Sequence, residues 1–154
     1  MAHMLSEHSY ELPEYILKVL EAQWELILPK AYREFLLKYN GGRPSPSYFN
    51  FFNDPQDGSI IRKFFGVYPD PNYDLVSVFK TYKVRDVRVS KRLFPIAGDS
   101  FGNLICISVM NPDRGKIYFW DHDRETDPPD DSNLTLIANT FEEFLDGLHE
   151  PPEA

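Results

Sequence analysis

The stretch from Leu93 to Trp120 restricts the fold more than any other part of the chain. It divides into three short apolar runs, Leu93 to Ala97, Leu104 to Met110 and Lys116 to Trp120. The first two are separated by Gly-Asp-Ser-Phe-Gly-Asn at Gly98 to Asn103, the last two by Asn-Pro-Asp-Arg-Gly after Met110. Runs of this length bounded by Gly, Asn, Asp and Pro are strands joined by tight turns, so the stretch predicts an antiparallel meander at the centre of a sheet. Both alternate sets of the middle run are largely apolar: Leu104, Cys106 and Met110 on one side, Ile105, Ile107 and Val109 on the other. Such a strand must be covered on both faces, and helices are expected on at least one.

Candidates for that cover are legible on either side. Leu12, Tyr15, Ile16, Val19 and Leu20 recur at three- and four-residue steps, which predicts a helix with Pro13 in its first turn, ending near Ala22 to Trp24. Pro29 opens a second, with Tyr32, Phe35, Leu36 and Tyr39 on one stripe and Asn40-Gly41-Gly42 as a left-handed stop. Arg43 to Gly58 reads as a loop holding a short strand around Tyr48 to Phe52, followed by another strand over Ile60 to Phe65. The proline-rich Val67 to Tyr73 is a connector, and Asn72 or Asp74 is placed to cap a third helix over Asp74 to Val84. Asp121 to Asn133 is a polar loop and Leu134 to Ala138 a last strand. Thr140-Phe141-Glu142-Glu143 is a capping box for a C-terminal helix that Pro151-Pro152 ends. The fold class predicted is α+β, with a central, mainly antiparallel sheet flanked by helices.

At 154 residues, 42% hydrophobic and 15% aromatic, the chain suits one domain with a full core. The expected division is a vector remnant over residues 1–4, ahead of or at a native Met4, a domain over 5–150 and a tail over 151–154. No run approaches the roughly 18 apolar residues of a membrane span and no leader opens the chain, so a cytoplasmic protein is expected, without membrane contact. Cys106, the single cysteine, offers no internal disulfide and no zinc cluster. The net charge of −8 opposes nucleic acid and favours a basic partner.

Four blocks, in this order, resemble the SUKH superfamily, which includes fungal glucan-synthesis regulators and bacterial toxin-immunity proteins. They are Leu28-Pro29-Lys30-Ala31-Tyr32-Arg33-Glu34-Phe35-Leu36 through Asn40-Gly41-Gly42; Phe94-Pro95-Ile96-Ala97-Gly98-Asp99 with Gly102-Asn103; Lys116-Ile117-Tyr118-Phe119-Trp120-Asp121-His122; and Ile137-Ala138-Asn139-Thr140-Phe141-Glu142-Glu143-Phe144-Leu145. The resemblance spans Leu12 to Leu148. Glu25 departs from it, standing where the family usually has a glycine. The resemblance implies an α+β domain with no cofactor and no established catalytic residues and, in bacterial members, neutralisation of a toxin that is often a nuclease.

The densest charge lies in Asp121 to Ser132, where six acids and one arginine give a formal −5. Asp121, Asp123, Glu125 and Asp127 alternate like the start of a calcium loop, but Thr126 stands where glycine belongs and Ser132 where glutamate belongs. Asp121, His122 and Asp123 as a hydrolase site would point alternately from a strand end and would not converge. A solvated acidic loop is the plainest account of these residues. The more specific one makes Asp121, Asp123, Glu125, Asp127, Asp130 and Asp131 partner-binding carboxylates facing a basic surface. Tyr48, Phe49, Asp54 and Asp57 form a second expected contact zone, although several of the phenylalanines between Tyr48 and Phe52 are also natural core residues. Asp99, Asn103 and Trp120 sit at neighbouring strand ends, Cys106 reads as a buried structural thiol, and Arg85, Arg88, Lys91 and Arg92 as a solvated linker. The function expected is that of a non-enzymatic, immunity-type binder holding a cognate toxin in a stoichiometric complex, as a monomer or weak dimer. The alternative is a regulatory interaction module.

Overall fold

The computed structural model describes residues 4–67 and 74–152. The meander forms as expected: β6 (Leu93–Gly98), β7 (Leu104–Ser108) and β8 (Ile117–Trp120) pair antiparallel, and β9 (Leu134–Ala138) continues the sheet beyond β8. A two-residue strand, β5 (Lys63–Phe64), closes the other edge, giving the order β5-β6-β7-β8-β9. Every residue of β7 is buried, so the strand that is apolar on both sides is indeed covered on both. The architecture is α+β.

Successive residues of a strand point to opposite faces, and β8 shows what covers each. Phe119 meets Phe49 and Phe51, with ring centroids 6.2 and 5.2 Å away. Around Phe49 on this side is α4 (Phe141–Asp146), through Phe144 at 5.9 Å, and α4 in turn packs Phe141 on Tyr32 and Phe35 of α2 (Lys30–Tyr39). Trp120, on the opposite face, meets Tyr82 edge-on at 5.7 Å. Tyr82 belongs to a π-helical turn, Lys80–Arg85, that continues α3 (Leu75–Phe79).

Helix ends follow the capping chemistry. Asn40 takes the left-handed φ of 50° that stops α2, and its side chain also bonds the backbone of Tyr10 and of Val67. Asp74 caps α3 by accepting from the N–H of Val76, while Asn72 lies outside the described residues, as does most of the expected connector. Thr140 Oγ1 accepts from the N–H of Glu143, whose carboxylate returns to the N–H of Asn139. Contrary to expectation, α4 stops at Asp146, ahead of the two prolines, because the chain turns at Gly147 and pairs His149 with Tyr48.

Two expectations are corrected. In α1 (Glu14–Trp24) the buried side is Leu17 and Glu21 with half-buried Trp24, while Tyr15 and Val19 are exposed. The stripe is rotated because Glu21 is an interior residue: its carboxylate accepts from the Leu28 N–H at 2.9 Å and from Arg33 Nε and Nη2, tying α1 to α2. A charge satisfied in this way can occupy a core position that apolar periodicity assigns elsewhere. The expected loop Arg43 to Gly58 contains three strands: β2 (Arg43–Ser45), paired with β1 (Met4–Ser6), and the hairpin β3 (Tyr48–Phe51) with β4 (Asp54–Ile60).

Candidate partner-binding face

The β3–β4 hairpin is polar and outward-facing after Phe51, yet its root is anchored in the core. Phe49 is 2% exposed, and Phe52 donates its N–H to Leu136 O of β9 at 2.9 Å. This seats the hairpin on the free edge of the sheet. At its tip Asp54 accepts from the Gln56 N–H and Asp57 from the Gly58 N–H, which shapes the turn and leaves both carboxylates exposed.

The polar loop from Asp121 begins where β8 ends, on the same side. Asp121 caps a 3₁₀ turn, His122–Arg124, by accepting from the N–H of Asp123, and its other oxygen accepts from Arg124 Nε at 3.2 Å. The consequence is a groove of about 430 Å³ between hairpin and loop. Asp54, Asp57 and Asp121 supply its carboxylates, Arg124 its cation, and Phe51 and Phe119 apolar surface. Two zones that lie far apart in sequence therefore meet in one concave, acidic feature.

The remaining acids of the loop divide by partner. Glu125 is held by Arg88 in a bidentate pair at 2.7 and 3.1 Å, and Arg88 lies over the Tyr82 ring. Asp131 pairs with Arg92 at 3.1 Å. Asp130 accepts from the Ser132 hydroxyl and N–H, and these bonds, the hydroxyl foremost, hold its carboxyl below the usual range, while its own N–H donates to Thr126 Oγ1. Asp123 and Asp127 are exposed, and Asp127 has no ion pair among the described residues. Arg88 and Arg92 of the expected solvated linker are thus clamps that fix the loop, while Arg85 pairs with its neighbour Asp86.

Of the two aromatic candidates, Tyr48 is half-buried against the His149 ring at 5.2 Å, and Phe49 has no surface to offer a partner in this conformation. The exposed aromatics on this side are Phe52, at 49%, and Phe101, at 70%. Phe101 was not anticipated, although a phenylalanine at a turn tip serves none of the turn's own chemistry. Its turn is fixed by Asp99, which accepts from the N–H groups of Phe101 and Asn103, from the Asn103 amide and from Ser59 of β4. Asn103 Oδ1 accepts from the N–H of His122, joining turn, hairpin and acidic loop. Asp99 and Asn103 therefore act as scaffold. Among the described residues no group of three His, Cys, Asp or Glu side chains is arranged to hold a metal ion. Cys106 is fully buried, and burial pushes its thiol up to about 12. No helix among the described residues is long and apolar enough to cross a membrane.

Comparison with known proteins agrees with this architecture. The SMI1 / KNR4 family (SUKH-1) matches residues 12–147. A relative in Bacillus subtilis (strain 168), the SPbeta prophage-derived uncharacterized protein YokK, is 34% identical over 152 residues, covering 88% of this chain and 74% of that protein. With a match that runs from the start of α1 to the end of α4, the chain belongs to the SMI1 / KNR4 (SUKH-1) family.

Proposed function

We propose that the protein is an immunity-type binder that neutralises a cognate toxin domain by forming a stoichiometric complex with it. Membership of a family that includes toxin-immunity proteins supports this reading. The observation that carries it is the groove in which Asp54, Asp57 and Asp121 come together, continued by a loop that exposes Asp123 and Asp127. An acidic concavity is suited to lysines and arginines of a basic partner, such as a nuclease whose own site binds phosphate. The hairpin carries exposed Phe52, and the turn joined to the acidic loop carries exposed Phe101, as apolar anchors. Arg124, Arg88 and Arg92 do not cancel this face; they orient the carboxylates they pair with and leave the others turned to solvent.

The test uses the protein as bait in a pull-down, followed by co-expression with the C-terminal domain of the captured partner. Tight capture with rescue of growth is expected, and Asp54→Lys with Asp57→Lys should abolish rescue while the chain still folds, as judged by circular dichroism, with the melt lowered only by the loss of the two turn bonds. Capture of signalling or envelope proteins without rescue would overturn the proposal in favour of a regulatory module.

A further inference from the structure

A second concavity, of about 530 Å³, shares no residue with the acidic groove. Its walls are Trp24, Phe79, Val89 and Val109, with the Trp24 and Phe79 rings 5.3 Å apart. Ile27, Val87 and Met110 stand at its rim, 67%, 52% and 43% exposed. Val87 is held there at a φ of 46°, a left-handed conformation that a β-branched residue adopts only at a cost.

Two cations enter this apolar setting. Lys83 Nζ donates to the carbonyl oxygens of Ser90 and, at 2.6 Å, of Leu93. An ammonium has three N–H groups, so one is left without a partner among the described residues. Burial pulls the Lys83 ammonium down to about 8, with Cys106 and Asp131 acting against the shift and Lys91 adding a smaller lowering charge. Neither lysine is ion-paired with a carboxylate among the described residues, and the one acid in the lining is exposed Glu25. A concave apolar site of this size with a few convergent polar groups is the usual form of a small-molecule site. Here the unmatched charge is positive in an otherwise acidic protein.

We propose that this cavity binds a small amphiphilic carboxylate, an apolar body of about eight to ten carbon atoms lying along Trp24, Phe79 and Val109 with its carboxylate on Lys83 and Lys91. The chain would cover the apolar rim and the carboxylate would take the spare N–H of Lys83. The inference stands independently of the toxin-binding proposal.

Octanoate and its uncharged counterpart 1-octanol are the probes, titrated into the full chain with methyl groups of Ile27, Val87, Val89, Val109 and Met110 followed by NMR. Saturable shifts confined to these methyls are expected, with octanoate bound at least about tenfold more tightly than octanol. Lys83→Met should remove that preference while octanol still binds. Because Lys83 also holds two carbonyls, Lys91→Gln serves as the second variant and should weaken octanoate severalfold without altering the fold. Equal affinity for octanoate and octanol, shifts spread to Val19 and Val76 elsewhere on the surface, or no saturation would overturn the proposal.

Discussion

Glu25 shows what one residue's backbone can cost. It ends α1 at a φ of 59°, and the N–H groups of Glu25 and Leu26 close back on Ala22 and Glu21. Glycine suits such a C-cap because a Cβ in the left-handed region crowds the following carbonyl. The Glu25 side chain is exposed, and among the described residues its carboxylate forms no hydrogen bond or ion pair that offsets the strain. Glu25→Gly is therefore expected to raise stability by about 0.5–1 kcal/mol, seen as a higher urea midpoint at unchanged slope. Asp113 is the converse case, a side chain held by its neighbours. It accepts from the hydroxyls of Ser108 and Tyr118, each at 2.6 Å, and from Arg92, which also reaches Asp131. Burial pushes its carboxyl up, but the bonds from Ser108 and Tyr118 and the Arg92 charge outweigh it, leaving the group below its ordinary value. A carboxyl with a depressed native pKa contributes stability in full above its ordinary, unfolded value and loses it as pH falls through the native one. Asp113→Asn should thus be less stable than the parent at pH 7, and the gap should begin to close only once pH falls below the ordinary aspartate value of about 4. Urea titrations at stepped pH would measure it; a gap independent of pH would mean that packing, not charge, is what the substitution removes.

At the scale of elements, legibility followed the agreement between local pattern and burial. The helix α2 was readable because Tyr32, Phe35 and Leu36 are all interior and Asn40-Gly41 terminates it. The strands β6 to β9 were readable because their apolar runs end in turn residues. The helix α1 was placed correctly but turned wrongly, since buried Glu21 breaks the apolar stripe that periodicity relies on. The hairpin β3–β4 was hidden for a different reason. Asp54-Pro55-Gln56-Asp57-Gly58 carries no alternation because most of that strand is exposed, so composition alone reads it as a loop. The meeting of Asp54 and Asp57 with Asp121 was hidden too, because it depends on the long-range bond from Phe52 to Leu136 and leaves no local trace. Hydrogen exchange should separate the two kinds of element. Amides of Ile105 and Ile107 in fully buried β7 are expected to exchange only through global unfolding, whereas those of Gln56 and Asp57, in the irregular exposed part of β4, should exchange through local opening, orders of magnitude faster. Protection of the hairpin equal to that of β7 would show that the groove's near wall is part of the folding core.

At the scale of the whole molecule, the charge that matters is how much of the −8 remains uncommitted. Asp121, Glu125 and Asp131 are paired with Arg124, Arg88 and Arg92, so their fields are partly cancelled at short range. Asp123, Asp127 and Asp130, with Asp54 and Asp57 across the groove, remain exposed on one side. Exposed charges of this kind act mainly on encounter, speeding approach of a basic partner without adding much to the bound state. Their reach is set by a Debye length of roughly 8 Å at physiological ionic strength. Raising salt from about 0.05 to 0.5 M should therefore slow association with the partner by about tenfold or more, with little change in dissociation. The double variant Asp123→Lys, Asp127→Lys should associate slowly at low salt and lose most of that salt dependence, Asp130 being spared because it holds Ser132. Asp131 is left intact in this variant because reversing it would also release Arg92 and loosen the loop, confounding encounter with structure. Stopped-flow association and dissociation rates decide between two pictures: a loss confined to the association rate assigns these carboxylates to steering, while a matching rise in dissociation would place at least one of them in a desolvated pair within the complex.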